Sequence, residues 1–385
     1  MRGATRRDVG GALVGLAALA LSGCDASTSA SPLAVEVQKA PDSPWASTGL
    51  PYGAREDNGK TLRLSYREHS VSLSTTNPDW TKAVTLKPGE DAPRLELSTA
   101  GATADAGIFQ LTPPGGESEV WELTGEGDWQ QIGSGLPKIA LADVTGHLVA
   151  WVQGAGKNAE NRKGAKIVAY DTEADKVAGE LDGSKLPGNY LWLMAVNDDT
   201  VVVQAVHDSP DQDSRWAKNY AWNPRTGDLV EFTDARPDNY VTVTDFDQGS
   251  KSRVLLSFRE ASRIAGPEGE TEIGNFGFGQ FNSDATQVVL EGYGLAKLLD
   301  VRTMKPIPLD LPLRNHNLFF PGALSWTTDD RLAVLGSMAD EVQKAWLCTT
   351  STGAYESLDT DYLWFSSKEN SALGQFAYHD EPEGD

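Results

Sequence analysis

One short shape recurs along this chain: an alternating apolar run, an aromatic or apolar residue, then Asp, Asn or Thr with a cluster of turn formers. It reads IVAYDTEA at 167–174, NYAWNPRTG at 219–227, AKLLDVRTM at 296–304 and AWLCTTSTG at 345–353. Taking the residue before each turn as a marker aligns Leu73, Trp121, Tyr170, Trp222, Leu299 and Cys348, with steps of 48, 49, 52, 77 and 49 residues. Self-similarity at a fixed spacing decides architecture before any single motif does. The long step is too short for two full units and too long for one, so it hides an abbreviated unit around 240–272.

Upstream of the markers runs a second set of segments, each an apolar run, a polar turn and another apolar run. They are LADVTGHLVAWV (141–152), AVNDDTVVVQAV (195–206), FDQGSKSRVLLSF (246–258), FNSDATQVVLEGY (281–293) and WTTDDRLAVLGSM (326–338). Each reads as a hairpin joined to the marker hairpin that follows. No stretch of a dozen residues carries helical spacing, so the chain is expected to be all-β. Four short antiparallel strands every 40 to 50 residues are the signature of a β-propeller blade. Seven blades are expected, with six or eight left open by the degenerate fifth unit. The tail FSSKENSALGQFAY (365–378) resembles a first hairpin with no marker hairpin after it, and VSLSTTNPDWTKAVTL (71–86) is a marker unit with only TLRLSY (61–66) ahead of it. The ring is therefore expected to close by pairing of the N- and C-terminal segments in one blade.

Residues 1–23 read as an export signal: Arg2, Arg6 and Arg7, then an apolar run from Gly10 to Leu21, shorter than the roughly 20 residues that span a bilayer. Leu21-Ser22-Gly23-Cys24 resembles a bacterial lipobox, which implies cleavage before Cys24 and lipid on its thiol. Thr5-Arg6-Arg7-Asp8-Val9 also resembles a twin-arginine export motif, with the general route left open. Residues 24–58, rich in Ser, Ala, Pro and Thr, read as the lipidated cysteine and a flexible tether, and 59–385 as one propeller domain. With two cysteines in all and one of them assigned to lipid, disulfides do not hold the domain together. A formal net charge of −22 repels phosphate backbones and anionic headgroups. Nucleic acid is thereby excluded as a partner, and membrane contact is expected through the lipid.

Tyr170-Asp171-Thr172, Trp222-Asn223-Pro224-Arg225-Thr226-Gly227 and Leu299-Asp300-Val301-Arg302-Thr303 give the repeats a pattern similar to the WD40-like, TolB-like group of bacterial propellers. The strict WD40 signature is absent, Gly146-His147 being a single occurrence. With the lipobox and tether, the chain resembles surface lipoproteins of high-GC Gram-positive bacteria. The resemblance implies a platform for proteins or ligands, and fold does not by itself give function.

Sequence motifs for chemistry are sparse. The five histidines, at 69, 147, 207, 316 and 379, have no metalloenzyme spacing, and no nucleophile elbow or phosphate loop is present. Cys348 falls in the marker slot and reads as a packing thiol. Asp208, Asp211 and Asp213 are close enough in sequence to offer oxygen ligands to Ca²⁺ but lack the order of a calcium loop. No other cofactor is expected. Connections between second and third strands look long at 153–166, 207–218 and 259–272, and the inter-blade stretch 311–322 should open on the same face. A binding rim is expected there from Arg162, Arg215, Trp216, Arg314, His316, Phe319 and Phe320, since aromatics and Arg dominate interface energetics. The chain is accordingly read as a lipid-anchored, extracytoplasmic, non-catalytic module for an envelope protein or small ligand. The alternatives are a cell-envelope carbohydrate hydrolase or lyase with channel-mouth carboxylates, and a small-ligand sensor.

Overall fold

In the computed structural model, the described residues are 33–358 apart from 40–43, 56–60, 76–95, 113–116, 136–139, 143–145, 155–164, 198, 208–215, 232–241, 248–252, 258–261, 267–268, 275, 277, 293–294, 310, 312–321, 328 and 338–342. They form seven four-stranded antiparallel sheets. The first contains β1 (Leu33–Lys39), β2 (Tyr52–Arg55), β3 (Thr61–Tyr66) and β4 (His69–Thr75), and the second β5 (Glu96–Ala102), β6 (Ala106–Thr112), β7 (Glu119–Thr124) and β8 (Trp129–Ser134). The third has β9 (Ala140–Ala142), β10 (Leu148–Gln153), β11 (Lys166–Asp171) and β12 (Lys176–Asp182). The fourth has β13 (Tyr190–Asn197), β14 (Thr200–His207), β15 (Trp216–Trp222) and β16 (Leu229–Glu231). The fifth has β17 (Thr242–Asp247), β18 (Arg253–Ser257), β19 (Ser262–Gly266) and β20 (Gly269–Gly274). The sixth has β21 (Phe278–Phe281), β22 (Gln287–Gly292), β23 (Leu295–Asp300) and β24 (Lys305–Pro306). The seventh has β25 (Gly322–Trp326), β26 (Leu332–Ser337), β27 (Gln343–Thr349) and β28 (Ala354–Leu358).

In sheets two to seven the strands lie side by side in chain order, whereas the first runs β1-β4-β3-β2. Within each sheet the burial pattern explains the residue choice. The second strand of the third sheet, LVAWVQ, is buried at every position but its last, while the fourth, KVAGELD, is largely exposed. An inner strand covered on both faces reads as a continuous apolar run and an outer one does not.

The recurring turn has one geometry. Asp171 Oδ1 accepts from the Ala174 N–H at 3.0 Å, Asn223 Oδ1 from the Arg225 and Thr226 N–H groups at 2.9 and 3.0 Å, and Asp300 Oδ1 from the Thr303 N–H at 2.7 Å. The fifth residue is left-handed in each case: Asp175 (φ 49°), Gly227 (81°), Met304 (55°) and Gly353 (72°). An Asx side chain closing the turn and a residue that tolerates positive φ are what a tight hairpin requires.

Apolar side chains gather between consecutive sheets. Leu62, Leu64, Tyr66, Val71 and Leu73 of the first pack on Leu97, Phe109, Leu111 and Leu123 of the second. Val168 and Tyr170 of the third meet Ile108 and Val120 of the second, while its other face sets Ile167 and Ala169 against Leu191, Val203 and Trp222 of the fourth. Ile264 joins the fifth sheet to Val288, Leu290 and Leu299 of the sixth, and Val289 and Leu298 join the sixth to Trp346 and Cys348 of the seventh. Trp45, Leu50 and Tyr52, from the stretch entering the first sheet, pack on Ala333, Ala345, Leu347 and Leu358 of the seventh.

Two expectations need correction. The tether assigned to 24–58 carries β1, a 3-10 turn over Pro44–Thr48 and β2. The stretch 259–272, expected as a long connection, holds β19 and most of β20, an antiparallel hairpin closed at Gly266 and Gly269. The four described strands of the first sheet all come from 33–75; the tail 365–378, expected to share a blade with the N-terminal segment, and Cys24 lie outside the described residues.

Candidate functional site

The turns between first and second strands and those between third and fourth strands lie at one end of the sheets. The Gly125 N–H donates to the Asp105 carbonyl (3.1 Å) in the second sheet, Thr172 to His147 (2.8 Å) in the third and Val301 to Thr286 (2.9 Å) in the sixth. At this turn face polar side chains tie neighbouring sheets together. Arg67 donates to the Ala104 carbonyl at 2.7 Å, linking sheets one and two. Thr172 Oγ1 donates to Asp105 Oδ1 at 2.7 Å, linking two and three, and Thr103 Oγ1 donates to the same oxygen at 2.8 Å. Burial opposes charge on Asp105, but the hydrogen bonds from Thr172 and Thr103 and the nearby His147 outweigh it and hold its carboxyl below the usual range.

Arg225, on the third-to-fourth turn of the fourth sheet, reaches Asp171 Oδ2 of the third at 2.6 Å and also bonds Asp199. Asp171 is likewise held low: burial pushes it up, and the Arg225 guanidinium and the Ala174 N–H more than offset that. Asn282 Nδ2 and the Ser283 N–H donate to the Asp330 carboxylate at 3.1 and 3.0 Å, linking sheets six and seven. Arg331 bonds Glu356 at 2.9 Å and the Ser47 carbonyl at 3.4 Å, which brings the seventh sheet to the N-terminal stretch.

One titratable cluster is unlike the rest. Glu122 on β7 is 2 % exposed between sheets two and three. Its Oε1 accepts from Gln130 Nε2 at 3.3 Å, while its Oε2 is buried with no hydrogen-bond partner. Gln130 also donates to Asp175 Oδ1 at 2.9 Å, and the Tyr170 hydroxyl bonds that same oxygen. Burial pushes Glu122 up to about 7, and the charges of Asp175, Asp105 and Asp128 add to the push. Asp175, by contrast, is held low by Tyr170 and Gln130. An acid raised by burial beside one held low is an arrangement that general acid–base chemistry uses. Here the two communicate through Gln130, and Glu122 is sealed from solvent, so the group acts as an inter-sheet clasp.

At the opposite end the second strands finish and the third strands begin, as at Gln153 and Lys166 in the third sheet and His207 and Trp216 in the fourth. Of the expected rim, only Trp216 lies within the described residues; Arg162, Arg215, Arg314, His316, Phe319 and Phe320, and the calcium candidates Asp208, Asp211 and Asp213, lie outside them. Trp216 opens β15, paired with His207 at the end of β14, and the rings stack with centroids 5.6 Å apart and an interplanar angle of 19°. Trp192, on the first strand of the same sheet, is 41 % exposed and was not singled out from sequence, because in YLWLM it reads as one more core residue. Cys348 is buried and its thiol is pushed up to about 12 by that burial.

No protein-family model and no curated protein sequence matches the chain. Among solved structures it is similar to the β-propeller domain of the Trilobed protease from Pyrococcus furiosus, at a TM-score of 0.50 and 13 % identity over 82 % of this chain and 98 % of that one. Pyrococcus horikoshii acylaminoacyl peptidase matches at a TM-score of 0.49 and 12 % identity, over 81 % of this chain and 50 % of that one. The β-propeller domain of Myceliophteria thermophila Cps50 (Swd1) matches at a TM-score of 0.35 and 12 % identity, over 59 % of this chain and 71 % of that one. The first likeness identifies the fold as a β-propeller.

Proposed function

We propose that this protein is a seven-bladed β-propeller, held at the outer surface of the cell membrane by lipid on Cys24, that binds an envelope protein or small ligand without catalysing a reaction. One observation carries this reading: the two ends of the sheets differ. The turn face is short and cross-tied from sheet to sheet, by Thr172 to Asp105, Arg225 to Asp171 and Asn282 to Asp330. The longer connections depart from the other end, where Trp216 stacks on His207 at the foot of 208–215. A rigid scaffold with its variable segments on one side is the usual way to present a recognition surface. Aromatic anchors such as Trp216 supply most of the affinity in such surfaces.

The test is crosslinking on intact cells followed by mass spectrometry of what is attached. Replacing 155–164 and 208–215 with Gly-Ser segments and Trp216 with Ala should abolish capture of a reproducible partner, whereas Glu173→Ala with Lys176→Ala on the turn face should leave it intact. Equal capture by both variants would refute the assignment of the face. Anchoring is tested by Cys24→Ala, which should move the protein from the membrane fraction to the medium; continued membrane retention would refute lipidation at that residue.

A further inference from the structure

Four third-to-fourth turns close on a left-handed residue, and in one of them that residue is an acid. Gly227, Met304 and Gly353 have no titratable group, whereas Asp175 of the third sheet carries a carboxylate back to the second. Gln130 Nε2, on β8, donates to Asp175 Oδ1 at 2.9 Å, and the Tyr170 hydroxyl donates to the same oxygen. Gln130 is shared, because its Nε2 also lies 3.3 Å from Glu122 Oε1 and 3.4 Å from the Tyr170 hydroxyl oxygen. One carboxamide therefore serves two acids, one from each side of the seam.

The two acids differ in what can replace that donor. Glu122 is 2 % exposed, and its Oε2 has no hydrogen-bond partner among the described residues; Asp175 stands in solvent. A carboxylate shut away from water must draw its donors from the protein, while one at the surface takes them from water. With Glu122 protonated, Gln130 is left to Asp175 and the turn is held against β8. With Glu122 ionised, two negative charges compete for one carboxamide, and Asp175 is the one that can leave. The charges of Asp175, Asp128 and Asp105 all oppose ionisation of Glu122. The basic side chains near them are engaged elsewhere: His147 Nδ1 lies 3.3 Å from Asp105 Oδ1, and Arg67 donates to the Ala104 carbonyl. Across the seam β6, β10 and β11 bring Ile108, Val149, Val168 and Tyr170, of which only Tyr170 titrates, and burial pushes its hydroxyl further up.

We infer that Glu122, Gln130 and Asp175 form a proton-operated latch: loss of the Glu122 proton to solvent draws Gln130 inward and releases the tip of the third-to-fourth turn, residues 173–176, from the second sheet. The release is local. Asp171 stays on Arg225 and Thr172 on Asp105, so the third sheet keeps its ties to both neighbours while the tip lifts. Burial raises Glu122 to about 7 and Asp175 is held low, so the first changes charge near neutrality while the second stays ionised. The latch lies at the turn face and works whatever the opposite end binds.

The experiment is amide hydrogen exchange of the whole chain, followed by mass spectrometry at pH 5.5 and 8.5 with labelling times scaled to equal intrinsic rates. Peptides reporting 173–177 should exchange at least tenfold faster at the higher pH, while those of the sixth-sheet turn, 301–305, and of β14 stay unchanged. Glu122→Gln should keep the third-sheet turn protected at both values, and Asp175→Gly, which gives it the residue found in the fourth and seventh sheets, should show no step. His147→Gln should retain the step of the parent. Equal exchange in the parent at the two pH values, a step that survives Glu122→Gln or Asp175→Gly, or a step lost with His147 would each overturn the inference. If β14 loses protection in Glu122→Gln, the buried substitution has unfolded the chain, and the exposed Asp175→Gly variant decides the question alone.

Discussion

Glu122 makes the stability of this protein depend on pH in a window where the depressed carboxylates of Asp105, Asp171 and Asp175 are silent. The perturbation is Glu122→Gln, which keeps shape and hydrogen-bonding capacity and removes the charge. Folding raises the carboxyl from 4.5 to about 7. A raised acid stabilises the fold fully below its unfolded value, and that contribution is lost as pH rises through its folded value. At about 1.4 kcal/mol per pKa unit the ceiling is about 3 kcal/mol, most of it lost between pH 5 and 8. Asp105, Asp171 and Asp175 are shifted the other way, so their contributions are complete above the usual carboxylate range and fade only in acid. For a domain of this size about 1 kcal/mol moves Tm by roughly 2 °C. Melting followed by tryptophan fluorescence at pH 5, 6, 7 and 8 should therefore show the variant gaining about 4 °C on the parent across the series. Parallel curves for the two proteins would show that the carboxylate is hydrated or paired in the folded state, and the reasoning would fail.

Gly179→Ala should cost about 1–3 kcal/mol by urea titration, because the added Cβ meets the Pro224 backbone, which has no rotamer to yield; Gly353→Ala, with open space but φ of 72°, should cost only about 1 kcal/mol. A double-mutant cycle on Arg225→Ala and Asp171→Asn should return a coupling of about 1 kcal/mol, since the arginine is half-exposed, and a value near zero would demote the bridge to a surface pair. Cys348 should resist maleimide in the folded protein at pH 8 and react fully in urea, with rapid native labelling refuting its burial.

Much of the fold was legible because it is local. The hairpins at 141–152, 195–206, 246–258, 281–293 and 326–338 each pair two neighbouring alternating runs, and they appear as β9–β10, β13–β14, β17–β18, β21–β22 and β25–β26. The abbreviated fifth unit appears as a full sheet, with GETEIG as an exposed outer strand whose charge masks any alternation. What was missed depends on partners remote in sequence. LAVEVQK becomes a strand only by pairing Leu33 with Thr75 and Lys39 with His69, across a stretch whose composition speaks for a tether. Asp171 was read as a turn cap, which it is, but its bond to Arg225 crosses 54 residues and leaves no local mark. The rim could be nominated by loop length and residue type alone, and of that set only the Trp216 stack acquires a geometry.

The apolar contacts divided among the sheet boundaries have a mechanical consequence. Consecutive sheets brace one another, so a load applied to one sheet passes to the next through these contacts. Among the described residues the boundary between the third and fourth sheets is filled by sixteen buried apolar residues, Leu191, Leu193, Tyr220 and Trp222 among them, whereas that between the seventh sheet and the N-terminal stretch has seven: Trp45, Leu50 and Tyr52 against Ala333, Ala345, Leu347 and Leu358. Fewer interdigitating atoms mean less work to separate the surfaces. Under a steady pull that boundary should part before the one between the third and fourth sheets.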